Sequence, residues 1–228
     1  YFLKTNNDFL ERRRVYSEGS YNIENIADVR KDNKKLILYL IGVLRIYPEI
    51  SNIYLGATNG NFLSVIRVNP HSTYATDSSV PLPGGLSFII QFIDRSAGEP
   101  LDYRYYTDDE GTIREEEVIK RVFYDPRARS WYLGSKQKQT FYWTNLYLFD
   151  NGLPGITASI PLYTGVGNSP DNGVFFGVFG VDISEDDIKK FVEGPHLGKV
   201  GTVFIVDTQG GELIAYNDRR KKSHRQRL

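Results

Sequence analysis

The chain has 228 residues, 40% of them hydrophobic, which is enough to fill one large core or two small ones and too much for a disordered segment. Basic and acidic residues number 28 each, but Arg219, Arg220, Lys221, Lys222, Arg225 and Arg227 fall in one short tail, leaving 22 against 28 in the body. An acidic body does not attract nucleic acid by bulk charge, and the lack of cysteine excludes disulfides, thiolate zinc sites and cysteine nucleophiles together.

The start at Tyr1 suggests an excised piece of a longer protein, and methionine is absent, which is unusual for this length. From about Asn22 to Tyr47 apolar residues recur mostly at three and four (Ile23, Ile26, Leu36, Leu40, Val43, Leu44, Tyr47), and proline first appears at Pro48. That spacing predicts a long amphipathic helix. Its longest apolar run, Leu36 to Leu44, is far short of the ~20 residues that span a bilayer, and no charged-then-apolar leader precedes it. The piece as given is therefore expected to be soluble.

Beyond Pro48 the pattern shortens. Ser51 to Leu55 and Asn61 to Val68, joined by Thr58-Asn59-Gly60, predict a β-hairpin. A similar order, Gly201 to Val206, Thr208-Gln209-Gly210, then Glu212 to Tyr216, recurs 150 residues later and suggests two related lobes in tandem. The second has only two strands here, too few for independent stability.

Between the hairpins, strands are expected at Leu86 to Ile93, Tyr142 to Phe149, Gly155 to Tyr163 and Gly173 to Asp182, with a helix or turn around Tyr124 to Lys136. Leu101 to Arg114 reads as a polar stretch, and its carboxylates Asp108 and Asp109 as solvated surface. Antiparallel strands with helices on one side make an α+β lobe. A connector helix, Ser184 to Val192, has Ser184 as N-cap and Asp187 at its third position.

Catalytic motifs are scarce. His71, His196 and His224 have no second histidine at metal-ligand spacing, so no metal site is expected. Gly165-Val166-Gly167 lacks the third glycine and following helix of a phosphate cradle and reads as a hairpin loop, and no nucleophile elbow or kinase signature occurs. No cofactor is expected, and the piece is read as non-enzymatic.

The densest segment is Tyr124-Asp125-Pro126-Arg127-Ala128-Arg129-Ser130-Trp131-Tyr132. Locally it reads as a helix start, with Asp125 as N-cap and Pro126 at the first position. Its two guanidinium groups and three rings are also the ingredients of a carboxylate site, a fork for bidentate binding with rings that exclude water.

The order YDPRARSWY, WTNLYLF, PGITASIPLY, GVFFGVFGVDIS resembles double-Cache sensor domains, the extracytoplasmic ligand-binding parts of chemoreceptors, sensor kinases and nucleotide cyclases. The resemblance implies a stalk helix over 1–48, a membrane-distal PAS-like lobe with the pocket over 49–183, a connector over 184–195 and the start of a membrane-proximal lobe over 196–228. It also implies flanking membrane anchors, an extracytoplasmic location, a cytoplasmic output domain and a homodimer through the stalk.

Amino-acid-binding members carry a six-position pattern, which falls here on Arg129 for the carboxylate, Trp131 and Tyr132 after it, Tyr124 before it, Tyr147 on the next strand, and Asp182 for the ammonium. Ser130 stands where the family usually has proline, and Thr164 to Asn172 is a longer loop. The implied ligand is an amino acid; a carboxylate or amine alone, or a dimerisation module without ligand, are the open alternatives. Asp182 as a helix cap, Trp131 as core and Tyr147 as strand packing stay open at the level of single residues. Arg127 is expected in a structural salt bridge.

Overall fold

A computed structural model describes residues 34–96, 98–164, 168–171, 173–193, 202–206, 211 and 213–218. Helix α1, Lys34–Ile46, buries Ile37, Leu40, Ile41 and Leu44, a single stripe at spacings of three and four. It is the described part of the expected stalk; residues 22–33 lie outside the described residues. The carbonyls at its C-terminal end are met by Arg67, which donates to Leu44, to Tyr47 at 3.2 Å and to Ile50 at 3.3 Å.

β1 (Asn52–Ala57) and β2 (Phe62–Arg67) form the expected hairpin. Gly60 takes φ +86°, the left-handed conformation that the turn needs. β3 (Phe88–Asp94) follows where expected, and the polar stretch 101–114, for which no strand was expected, is largely strand. It holds β4 (Leu101–Thr107) and the start of β5 (Ile113–Ile119). Their polarity misled because β5 is the sheet edge and bears charges on an exposed strand, as edges commonly do. Nor are the two aspartates at that turn solvated alike. Asp108 is buried, accepting from the Thr112 amide at 2.8 Å and from Arg114 at 2.6 Å, and Asp109 pairs with Arg45 at 2.8 Å.

After a 3-10 turn at Pro126–Ala128 and helix α2 (Ser130–Lys138), the expected strand over 142–149 splits into β6 (Tyr142–Trp143) and β7 (Tyr147–Leu148), both paired with the next strand. The cause is Thr144: its hydroxyl accepts the Thr157 amide at 2.9 Å, so a side chain replaces a ladder carbonyl there. β8 (Pro154–Tyr163) and β9 (Phe175–Ser184) then complete an all-antiparallel sheet of order β5-β4-β3-β2-β1-β9-β8-β6. Residues 165–167, the expected hairpin loop, lie outside the described residues.

The sheet is covered on both faces, not one. Ile53, Leu55, Leu63, Val65, Ile90, Phe92, Leu162 and Val181 pack with α1. Their alternates Tyr54, Phe62, Ile93 and Val178 pack with Trp131 and Tyr132 of α2. Strand alternation sends successive side chains to opposite faces, so each strand serves two cores.

Helix α3, Glu185–Glu193, starts at the expected cap: Ser184 accepts the Asp187 amide at 3.1 Å and donates to the Asp187 carboxylate at 2.6 Å. Its Ile188 and Val192 pack with Ile183 and with Ile205 of the second hairpin, β10 (Thr202–Val206) and β11 (Leu213–Asp218). The T-x-G apex of that hairpin and the basic tail lie outside the described residues.

Candidate ligand site

The local reading of 125–127 is what the backbone adopts. Asp125 accepts the Arg127 amide at 2.9 Å and Pro126 opens the 3-10 turn. Arg129 is extended (φ −84°, ψ 148°) between that turn and α2. The chain thus changes direction at Arg129, leaving its side chain half-buried while the first helical turn sends Trp131 and Tyr132 inward, 1% and 2% exposed. Gly56 beneath admits the indole, since a Cβ there would stand 2.9 Å from the Trp131 ring. Arg127 pairs with Asp125 at 2.7 Å, the structural salt bridge expected of it.

Asp182 is 6% exposed on β9. One carboxylate oxygen accepts the hydroxyls of Tyr54 and Thr157, each at 2.6 Å, and the other accepts the Asn52 amide at 3.4 Å. The α3 cap is Ser184, so Asp182 is free of that duty. Burial raises its carboxyl from the ordinary 3.8 to about 6, while Thr157, Tyr54, Asn52 and then the charge of Arg129 pull the other way. All three of its hydrogen-bond donors among the described residues are neutral.

Around this carboxylate stand tyrosines. Tyr147 shares a hydrogen bond with Thr157 at 2.7 Å. The Arg129 guanidinium lies 5.7 Å from the ring centroid of Tyr124 and 5.8 Å from that of Tyr147, and donates to the Leu148 carbonyl at 3.2 Å. That is its only hydrogen bond among the described residues, leaving donors of its fork for other acceptors. Burial, then Asp182, pushes the hydroxyls of Tyr124 and Tyr147 well up, so both stay protonated donors. Tyr54 behaves likewise.

Of the six residues expected in the site, Tyr124, Arg129, Tyr147 and Asp182 come together, and Trp131 lies beneath them, 4.7 Å from the Tyr54 ring. Trp131 is thus core and site floor at once. Tyr132 is apart: its ring packs on Phe175 at 6.0 Å, and the charges that act on its hydroxyl are those of Arg127 and Asp125.

Asn52, Tyr54 and Thr157 were not anticipated. The available signal was a polar residue inside a buried strand pattern, readable only once the register sets Asn52 and Thr157 opposite Asp182. Gly180 is part of the same device: a Cβ there would stand 2.2 Å from the Tyr54 ring, so glycine is what allows Tyr54 to lie across β9. Among the described residues no group of three or more His, Cys, Asp or Glu could hold a metal ion.

Residues 86–190 match the family model described as "Methyl-accepting chemotaxis protein-like, first PDC sensor domain". The expected resemblance to Cache-type sensor lobes is borne out by that match. In fold the chain resembles the ligand-binding domain of the Campylobacter jejuni chemoreceptor Tlp3 in complex with 4-methylisoleucine, with a TM-score of 0.51 and 18% identity over 94% of this chain and 62% of that one. A stretch of 111 residues, 47% of this chain, is 30% identical to the voltage-dependent calcium channel subunit alpha-2/delta-2 of Homo sapiens, and likewise to that of Mus musculus. This chain spans only 9% of the length of those relatives. No helix of the described residues is long and apolar enough to cross a membrane.

Proposed function

We propose that this chain is the sensor part of a signalling receptor and binds a small amine-bearing carboxylate, an amino acid above all, between Arg129 and Asp182. One observation carries the reading: a buried carboxylate held only by neutral donors faces tyrosine rings, with a half-buried guanidinium beyond them that keeps most of its donors. A zwitterion answers both groups. Its ammonium would replace the missing counter-charge of Asp182, and its carboxylate would take the Arg129 fork, while Tyr124 and Tyr147 offer hydroxyls and ring faces. The sensor-domain match over 86–190 and the amino-acid derivative named for Tlp3 support this class of ligand.

In this reading the chain performs no chemistry on its ligand. The receptor around it is membrane-anchored, the sensor lies outside the cytoplasm, and the helix containing α1 forms a stalk through which two copies pair. The domain boundaries are those of the sequence reading: stalk to 48, pocket lobe to 183, connector to 195, then the second lobe. Binding shifts the receptor only by a difference in affinity between two arrangements of lobe and stalk.

A thermal-shift screen against the proteinogenic amino acids, simple amines and short carboxylates tests the reading. A ligand at about 100 times its Kd stabilises the folded state by about 2.7 kcal/mol, a melting-temperature rise of several degrees. Amino acids are expected to shift the wild type and to leave Arg129→Ala and Asp182→Asn unmoved. A folded wild type that no compound shifts overturns it.

A further inference from the structure

The face that carries Asp182 continues across the sheet. Tyr54 is opposite Ser64, Ser64 opposite Gln91, Gln91 opposite Arg104, and Ile93 opposite Asp102. Opposed residues of antiparallel strands share a face, so these polar groups lie on the side of Tyr54 and Ile93, away from α1. Ser64 donates to Asn52 at 2.7 Å and so joins the row to the Asp182 cluster.

At the far end Asp102 is 4% exposed. Its donors all converge on one oxygen: Gln91 at 2.8 Å, and two nitrogens of Arg104 at 3.2 and 3.1 Å, reach Oδ2. Oδ1 is buried and has no hydrogen-bond partner among the described residues. An arginine fork ordinarily spreads over both oxygens of a carboxylate. Here it is drawn to one oxygen, and the other has no donor among the described residues. Unmet buried acceptors are costly and rare, so such an atom calls for a donor.

The charge around it favours a cation. Arg104 is the one guanidinium in the cluster, set against Asp102 itself, Glu117 opposite Arg104 on β5, and Asp150 on the turn after β7, whose charge acts on Asp102. We propose that Asp102 Oδ1 is the acceptor of a second subsite, on the sheet face that bears Asp182, for a cationic hydrogen-bond donor of the primary-ammonium class. This goes beyond the zwitterion site: Asp102 is held by Gln91 and Arg104, whereas Asp182 is held by Tyr54, Thr157 and Asn52.

The test is amide chemical-shift mapping of the full 228-residue chain titrated with 1,4-diaminobutane, an amine without a carboxylate. Saturable shifts are expected at Gln91, Asp102 and Arg104 in the wild type and in Asp182→Asn. Asp102→Asn should weaken them about tenfold, the loss of one charge-assisted hydrogen bond. Asp150→Asn, an exposed change that leaves the fold intact, should weaken them about threefold, as a solvent-screened charge does. No shifts at those three residues, or shifts that vanish in Asp182→Asn and persist in Asp102→Asn, overturn the proposal. Should Asp102→Asn not fold, unchanged affinity in Asp150→Asn overturns it equally.

Discussion

Asp182 is a carboxylate kept in the wrong solvent. Its carboxyl stands near 6 in the folded protein against 3.8 in an open chain, so between those values the folded state holds more protons than the unfolded one. Stability therefore falls as pH rises from about 4 to 6, and above 6 the full penalty, about 3 kcal/mol for two units, is in force. Melting curves from pH 4 to 8 should show that decline in the wild type. Asp182→Asn, which keeps the shape without the charge, should lack it and melt no lower than the wild type at pH 7. A ligand ammonium reverses the preference, because it needs the ionised form. Amino-acid affinity should weaken below about pH 6, by up to tenfold per unit, as binding must then expel a proton.

The neighbouring arginines give a second residue-scale contrast. Arg127 is tied to Asp125 in a half-exposed pair, so Arg127→Ala should cost under about 1 kcal/mol and leave ligand affinity unchanged. Arg129→Ala should barely alter the melting temperature and abolish binding in a calorimetric titration, costing about 2 to 5 kcal/mol. Arg129, Asp182, Tyr124, Trp131 and Tyr147 were legible because their types and order carried a resemblance. Tyr132 shared the motif but faces Phe175, since consecutive helical residues point about 100° apart and only one ring of the pair can lie under Tyr54. Asn52, Tyr54 and Thr157 were hidden, because what brings them to Asp182 is cross-strand register, which no local pattern contains.

Among elements, the legible ones bury a stripe or a face: α1, the first hairpin, β3, β8, β9 and the Ser184-capped α3. β5 was illegible because it is an exposed edge strand that bears charges, and β4 because its polar side bonds to other protein groups instead of water. Tyr106 of β4, for one, donates to Glu117, which also takes the Thr76 hydroxyl and the Ala75 amide at 3.0 Å. The join between helix and sheet rests on Arg67. Arg67→Leu should free the last carbonyls of α1 and lower stability by about 1 to 3 kcal/mol in denaturant unfolding. The join between β1 and β9 rests on bare backbone. Gly180→Val should drive Tyr54 off Asp182, destabilising by about 1 to 3 kcal/mol and lowering amino-acid affinity, measurable in parallel melts and titrations.

For the whole molecule, one sheet separates two jobs. Its α1 face is an apolar seam to the helix proposed as a stalk, and its other face carries the polar row that holds Asp182. β1 and β9, which frame Asp182, also bury Ile53, Leu55 and Val181 against α1, so under the proposed function a ligand bound on one face would bear on the helix behind the other. The α+β character was legible in the sequence. That helices would cover both faces was not, since the same strands alternate between two cores and each core reads alone as one amphipathic pattern.

The claim that everything turns on is recognition of both ends of a zwitterion at once. Calorimetric titration of the wild type with the amino acid that most raises the melting temperature, with its N-acetyl derivative and with its methyl ester, tests this directly. A saturable heat is expected for the free amino acid, with a loss of at least about 30-fold for each blocked form, the worth of one buried charge partner. Equal affinity for the N-acetyl derivative would contradict it, because a ligand without an ammonium would then have no use for Asp182.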